Sequence, residues 1–323
     1  MIYDDDKTEP ALESLMFPVQ KTNVYFKADN GSTVCIPGKK ALINSDTRQV
    51  LSVVSNGYRL LRNSEALKLA KRCCILAFPN TAPANWNVFS IEAPLTRTYC
   101  RIDLKHKGMI EGDGWPFDQN DGSGYEPFLR VNNSYNTKCA FSIRFGIIRW
   151  VCKNGLVDWD SSISIKVNHD VKDIVEKIEA EMNEAKFKMV INDYGDKFEA
   201  LKKIKVTKDQ FLPIVLSVLK IQKPKDMPDD REDDWSWIKG EILGKVNTYV
   251  DILDQTGYAL INTITDIATR PPTQVGRYNF IRRERDMLQR LAGIWLTDFV
   301  KLARNKDKLD EYLKNPGKRL RVS

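Results

Sequence analysis

Near Asp170 the spacing of apolar residues changes from every second position to every third or fourth, which divides the chain into two kinds of structure. Before this point, short runs alternate apolar and polar residues, the period of strands with one covered face. Beyond it, Val171, Ile174, Ile178, Met182, Ala185 and Met189 step along one face of a long helix. The expected class is α+β, with an N-terminal antiparallel β-rich part containing at least one helix, followed by a C-terminal helical part. Residues 1–20 read as a flexible acidic arm, 21–169 as the α+β domain and 170–323 as the helical region. A proline- and acid-rich stretch near 222–234 reads as an exposed linker.

Local signals fill in this frame. Val50-Leu51-Ser52-Val53-Val54 is a β-rich run closed by the turn pair Asn56-Gly57. A second short strand is expected over 58–61. Asn63 then offers an N-cap for a helix whose Leu67, Ala70 and Cys74 recur at helical spacing. Strands are expected at 86–92, 97–106, 127–132, 138–145 and 147–152. The Gly- and Asp-rich segment 108–125 reads as an exposed loop. Helices are expected at 207–220, capped by Thr207 and interrupted by Pro213, and around Ile238, Ile242, Val246 and Tyr249. Further helices are expected at 256–269 and 279–313, separated by Arg270-Pro271-Pro272.

No apolar run reaches the roughly 18 residues that span a bilayer. The N-terminus is acidic where a secretory signal would be basic and then apolar, so a cytoplasmic location is expected, with no membrane partner. Six cysteines without a C-x-x-C pair read as reduced thiols in apolar strings. Net charge is +7, unevenly spread: residues 270–323 carry fourteen Lys/Arg against six Asp/Glu. That asymmetry fits nucleic acid or an acidic protein surface.

Signatures of catalysis are sparse. His106 and His169 are the only histidines, and neither lies in a nucleophile–base or metal-ligand spacing. Gly240-Glu241-Ile242-Leu243-Gly244-Lys245 is one residue short of a phosphate-binding loop and falls within a helical pattern, where its N–H groups are already used. Asp118-Gln119-Asn120-Asp121-Gly122 lacks the Gly and Glu of a calcium loop, although Glu111, Asp113 and Asp118 leave a metal-dependent nuclease as a minor alternative. The expected state is non-enzymatic, with no cofactor and no bound metal.

One strand pattern carries a positive functional reading. Arg97, Tyr99, Arg101, Asp103, Lys105 and Lys107 fall on one side of the strand at 97–107, opposite Thr98, Cys100, Ile102, Leu104 and His106. Lys138 and Arg144, then Arg149, repeat the theme nearby. If the apolar side packs and the other is wet, cations track phosphates while Tyr99 stacks a base. The competing reading is an ordinary solvated sheet face.

Several blocks together resemble a phage/plasmid-like protein family catalogued as a domain of unknown function. They are Val50 to Arg59 with Asn63-Ser64-Glu65-Ala66; Asn133-Ser134-Tyr135-Asn136-Thr137-Lys138-Cys139-Ala140; Arg149-Trp150-Val151-Cys152-Lys153-Asn154-Gly155-Leu156; and, more weakly, Leu260 to Asp266. The sequence departs at Thr137, where the family prefers Gly, and at Tyr135, where His is common. The resemblance implies a mobile-element origin and brings no enzymatic activity with it. Its motif residues are Tyr58, Asn63, Asn133, Ser134, Asn136, Arg149, Cys152 and Asn154. They also have structural readings: Asn133, Ser134 and Asn136 as caps of a turn, and Arg149, Cys152 and Asn154 as fixtures of a strand end.

The function expected is a phage- or plasmid-encoded binding protein for single-stranded DNA, of the ATP-independent annealing or recombination-accessory type, acting as a homo-oligomer. The alternative is an accessory that binds a host or phage protein, such as an inhibitor of host defence, with Trp235 and Trp237 as contact candidates.

Overall fold

A computed structural model describes residues 11–106, 125–149, 155–157, 164–167, 176, 184–316 and 320. They fall into two compact units. The first holds the described residues up to 106, with 127–145, 164–167, 176 and 184–188; the second holds 125–126, 146–149, 155–157, 189–316 and 320. The class is α+β, with antiparallel sheets in the N-terminal part and helices in the C-terminal part.

The first unit opens with one 3-10 turn, Leu12–Leu15, whose Leu15 is fully buried. From Leu12 on, the arm expected at the N-terminus is therefore corrected: an apolar side chain pins this segment to the core. Strands β1 (Val19–Lys27), β2 (Thr33–Asn44) and β3 (Val50–Ser55) form an antiparallel meander in the order β1-β2-β3. Gly31, at φ 81°, makes the first turn, and Gly31 N–H donates to Ala28 O at 2.8 Å. Asn44 makes the second, its Oδ1 accepting from Asp46 N–H at 3.0 Å. The inner face of this sheet packs Val19, Leu42, Leu51 and Val54 around Tyr58 and Tyr135.

The turn at Asn56-Gly57 forms as expected, but residues 58–62 are irregular rather than a strand. Helix α1 (Asn63–Ala77) follows, burying Ala66, Ala70, Cys73, Cys74 and Ala77. Its cap residue is Arg62, one position before the expected Asn63: Glu65 Oε2 accepts from Arg62 N–H at 2.8 Å, while the Asn63 side chain turns inward.

A second antiparallel sheet follows: β4 (Trp86–Glu92), β5 (Tyr99–His106), β6 (Tyr125–Ser134) and β7 (Phe141–Arg149), in that order. β8 (Gly155–Val157) pairs with the far end of β7, and β9 (Ser164–Val167) with its beginning. Within the first unit, Phe78 meets Trp86, Phe145 and Phe187 at ring separations of 5.4, 6.2 and 4.3 Å, an aromatic core of tilted and edge-on contacts. His106 packs edge-on against Trp86 at 5.4 Å, a core position for one of the two histidines.

Helix α2 (Glu184–Lys203) begins in the first unit and continues into the second, where Val190, Ile191, Tyr194, Phe198 and Leu201 form its buried stripe. Most of the helical pattern expected over 171–189 lies outside the described residues, and its last member, Met189, is 71% exposed. The remaining helices are α3 (Lys208–Leu219), α4 (Glu232–Leu253), α5 (Gly257–Thr269), α6 (Arg285–Ala303) and α7 (Lys306–Lys314). Thr207 is the N-cap of α3, and its N–H donates to Gln210 Oε1 at 2.9 Å. Pro213 lies inside that helix. The stretch from Gly240 to Lys245 lies inside α4, as expected. Helix α5 is the centre of the second unit. Every residue from Gly257 to Ala268 is buried, because α3, α4, α6 and β8 all pack on it. Its polar residues satisfy themselves locally: Asn262 Nδ2 donates to Tyr258 O at 2.8 Å, and Thr263 Oγ1 to Ala259 O at 3.0 Å. No helix among the described residues is long and apolar enough to cross a membrane.

Candidate nucleic-acid interface

The strand expected to present a wet basic face is covered on both sides. Cys100, Ile102, Leu104 and His106 are buried as expected, but Arg101 and Asp103 on the opposite side are also buried. Arg101 Nη1 pairs with Glu92 Oε2 at 2.5 Å, and Arg101 Nε donates to Asn132 Oδ1 at 3.4 Å. Arg130, directly opposite Asp103 on β6, grips it with two bonds: Nε to Oδ1 at 2.8 Å and Nη2 to Oδ2 at 2.7 Å. Asn132 continues the network to Ser142 Oγ at 3.1 Å. Charge on this face is thus spent across strands, and the solvated-platform reading of Arg101 is corrected.

Of the other residues in that expectation, Arg97 is exposed in the preceding turn at φ 51°, and Tyr99 and Lys105 are half-buried. Lys138 is exposed and sits over the Tyr99 ring at 4.4 Å, so those two do meet. Arg144 is half-buried in β7, and Arg149 ends that strand. Lys107, Cys152 and Asn154 lie outside the described residues, as does the loop expected over 108–125 as far as residue 124, while Tyr125 begins β6. Among the described residues no group of three His, Cys, Asp or Glu could hold a metal ion.

Four of the family-motif residues come together in a buried latch in the first unit. Tyr58 Oη donates to Ser134 O at 2.7 Å, and Asn63 N–H donates to Tyr135 Oη at 2.9 Å. Asn63 Nδ2 reaches Leu15 O at 2.9 Å. Asn133 Nδ2 donates to both Leu61 O (2.9 Å) and Asn63 Oδ1 (2.8 Å), and the Cys100 thiol also meets Asn63 Oδ1 at 3.3 Å. These bonds tie the 3-10 turn, the segment after β3, the start of α1 and strands β5 and β6 together. Burial pushes the Cys100 thiol up to about 12 and raises both Tyr58 and Tyr135 above their usual 10.0, so none of these groups is primed to ionise near neutrality.

The turn after β6 shows why glycine, which the resemblance implies at 137, would fit that position. Asn136 Oδ1 accepts from Lys138 N–H at 3.1 Å and from Ser134 Oγ at 2.9 Å, closing the turn as expected of a cap. Thr137 at its apex is left-handed, φ 60°, a conformation that disfavours a β-branched side chain and suits glycine. Thr137→Gly should therefore stabilise the first unit by about 1 kcal/mol. Chemical denaturation midpoints measure this, and an equal or lower midpoint for the variant contradicts it.

A cationic, aromatic strand face does exist, on β1 and β2 rather than β5. Alternation places Lys21, Asn23, Tyr25 and Lys27 on one side of β1, and their cross-strand neighbours Lys40, opposite Asn23, and Cys35, opposite Tyr25, join them. Tyr25 is 55% exposed, and Lys21, Lys27 and Cys35 are exposed. Lys40 Nζ donates to Asn23 Oδ1 and Lys21 Nζ to Tyr58 O, which orients both amines; among the described residues Lys27 has no ion pair. The reverse side of the same ribbon is apolar, with Phe26 opposite Val34, at 50% and 41% exposure. The signal was present in the sequence as Lys21-Thr22-Asn23-Val24-Tyr25-Phe26-Lys27, but the apolar triplet within it resembles a buried strand start.

The second unit holds the tryptophans expected to be contact candidates. Asp234, in the first turn of α4, accepts from Arg277 Nη1 and from Tyr278 N–H, each at 3.0 Å, and so clamps the 270–284 loop. The exposed linker expected at 222–234 thus ends early, because 232–234 begin the helix and Asp234 is buried. The Arg277 guanidinium covers Trp237 at 5.1 Å, Lys239 covers Trp235 at 5.8 Å, and Phe280 packs on Trp235 at 5.1 Å. Both indoles are half-buried and have their neighbours already. Asp266 likewise pairs with Lys245 at 2.9 Å and Arg270 at 2.6 Å, which neutralises part of the C-terminal basic excess.

These features define an α+β protein with a basic, aromatic β-ribbon and a buried polar latch. The model of the family described as Domain of unknown function (DUF932) matches residues 115–295, more than half of the chain, and the chain belongs to that family. The motif blocks at 133–140, 149–156 and 260–266 lie within the match, whereas the block at 50–66 and the β1–β2 ribbon precede it. No curated protein and no solved structure matches the chain.

Proposed function

We propose that this chain is a binding protein for single-stranded nucleic acid, with DNA as the ligand of its β1–β2 ribbon. The observation that carries the reading is Tyr25, 55% exposed, with exposed Lys21 and Lys27 and half-buried Lys40 on one side of the ribbon, where that side runs on beyond the core residues Leu42 and Val54. Lysines on such a face follow phosphates, and an exposed phenol ring stacks on any base, which suits a flexible single strand better than a stacked duplex. The motif resemblance supports a phage or plasmid origin, which the neighbouring genes would test.

Anisotropy of a labelled single-stranded oligonucleotide, titrated at several salt concentrations, tests the binding. Three lysine–phosphate contacts give a log–log salt slope of about −2 for a single strand. Tyr25→Ala should weaken binding by about 1–3 kcal/mol, and Lys27→Glu should weaken it and flatten the salt slope. Both side chains are exposed, so thermal unfolding should stay unchanged. Absence of binding by the wild type at low salt, or wild-type affinity in the double variant, overturns the reading in favour of a protein partner.

A further inference from the structure

We propose that a second copy of this chain pairs antiparallel along β3, joining two three-stranded sheets across a two-fold axis. Strand β3 is an edge: it pairs with β2 on one side, and among the described residues no strand pairs with its other side. An open row of N–H and C=O groups recruits another strand unless something blunts it. Strand β1, the opposite edge, is blunted by Lys21, Lys27 and an irregular register between Asn23 and Tyr25. Self-pairing of β1 about Val24 would set Lys21 against Lys27, like against like.

Strand β3 has no such guard over most of its length. Val50-Leu51-Ser52-Val53-Val54-Ser55 contains no charge and no proline, and its one irregularity, at Leu51, leaves Ser52 to Ser55 in regular register. A two-fold contact must be self-complementary, so that each residue tolerates the copy of itself or of its mate. With the axis beside Val53, valine meets valine and serine meets valine, and no charge opposes its like. The side chains supply a second reason. Val50 and Val53 point away from the core and are 56% and 52% exposed, on the same outer face as half-buried Ile43. Joining two sheets at β3 sets the exposed Val53 of each copy against its equivalent at the axis, which covers part of this apolar surface. A nucleic acid would find no cation on this strand, and an acidic peptide no counter-charge. A second copy is the occupant that the uncharged edge fits.

Analytical ultracentrifugation of the full chain without nucleic acid tests the pairing independently of the ligand reading. The wild type should show a reversible monomer–dimer equilibrium that shifts with concentration. Val53→Lys should sediment as a monomer with an unchanged melting temperature, and an equimolar mixture of Val53→Lys and Val53→Glu should restore the dimer. Val50→Lys serves as the second variant should Val53→Lys fold poorly. A wild type that stays monomeric at every concentration overturns the proposal, as does persistence of the dimer in a folded lysine variant at either position.

Discussion

Asp103→Ala is expected to lower the stability of the first unit by about 3–5 kcal/mol, the cost of stranding a buried charge. Arg130 and Asp103 lie directly opposite each other on β5 and β6, with side chains 3% and 5% exposed, and two parallel bonds fix the guanidinium against the carboxylate. Alanine removes the two carboxylate acceptors while the arginine stays charged, so the part of its desolvation that Asp103 offsets is lost. The double variant Asp103→Leu with Arg130→Met removes the charge as well as its partner, and it should recover most of the loss. Urea unfolding followed by far-UV circular dichroism gives both numbers. A loss below about 1 kcal/mol for Asp103→Ala would place the pair among exposed ion pairs in its energetic effect and contradict the burial argument.

Alkaline pH should unfold the first unit well before it would unfold a protein with exposed phenols and thiols. Burial raises Cys74 well above 9.0, with neighbouring Cys73 adding to the shift, and raises Cys100 to about 12. Burial also raises Tyr58 and Tyr135 above 10.0; the Asn63 N–H bond to the Tyr135 hydroxyl opposes this but does not reverse it. The folded state therefore keeps protons that the unfolded chain releases. Stability from these groups is complete below the unfolded values and declines as pH rises from 9.0 through 10.0 and on toward the folded values. Each group contributes a slope of about 1.4 kcal/mol per pH unit once its unfolded form has ionised. The four shifts act in the same direction, so their losses add as pH rises. Denaturation midpoints should be flat between neutrality and pH 9 and fall steeply above it. Tyr135→Phe should make that fall shallower, and a midpoint independent of pH through this range would refute the linkage.

Elements whose cause is local were legible in the chain's own residues. The caps and 3.6-residue spacing of Thr207 to Leu219, the stripe Ile238, Ile242, Val246 and Tyr249, and the apolar run of α5 all specify helices through contacts within a few residues. Val50 to Ser55 with the turn at Asn56-Gly57 is a strand signal of the same local kind. Alternation on β5 likewise identified Cys100, Ile102 and Leu104 as inward. Alternation separates two faces of a strand but does not say whether the second is wet, because that depends on which strand lies alongside and in what register. Only the tertiary structure set Glu92 beside Arg101 and Arg130 opposite Asp103, turning an apparent basic platform into an internal ion network. It also brought Asn63 and Asn133, seventy positions apart, to 2.8 Å, where each satisfies polar groups that burial would otherwise leave costly. The same logic runs in reverse on the ribbon. Tyr25 and Phe26 look like core residues in sequence, yet among the described residues they stay 55% and 50% exposed. Local spacing fixes which residues share a face, whereas burial is a property of neighbours distant in sequence, and the candidate interface moved from β5 to β1 for that reason.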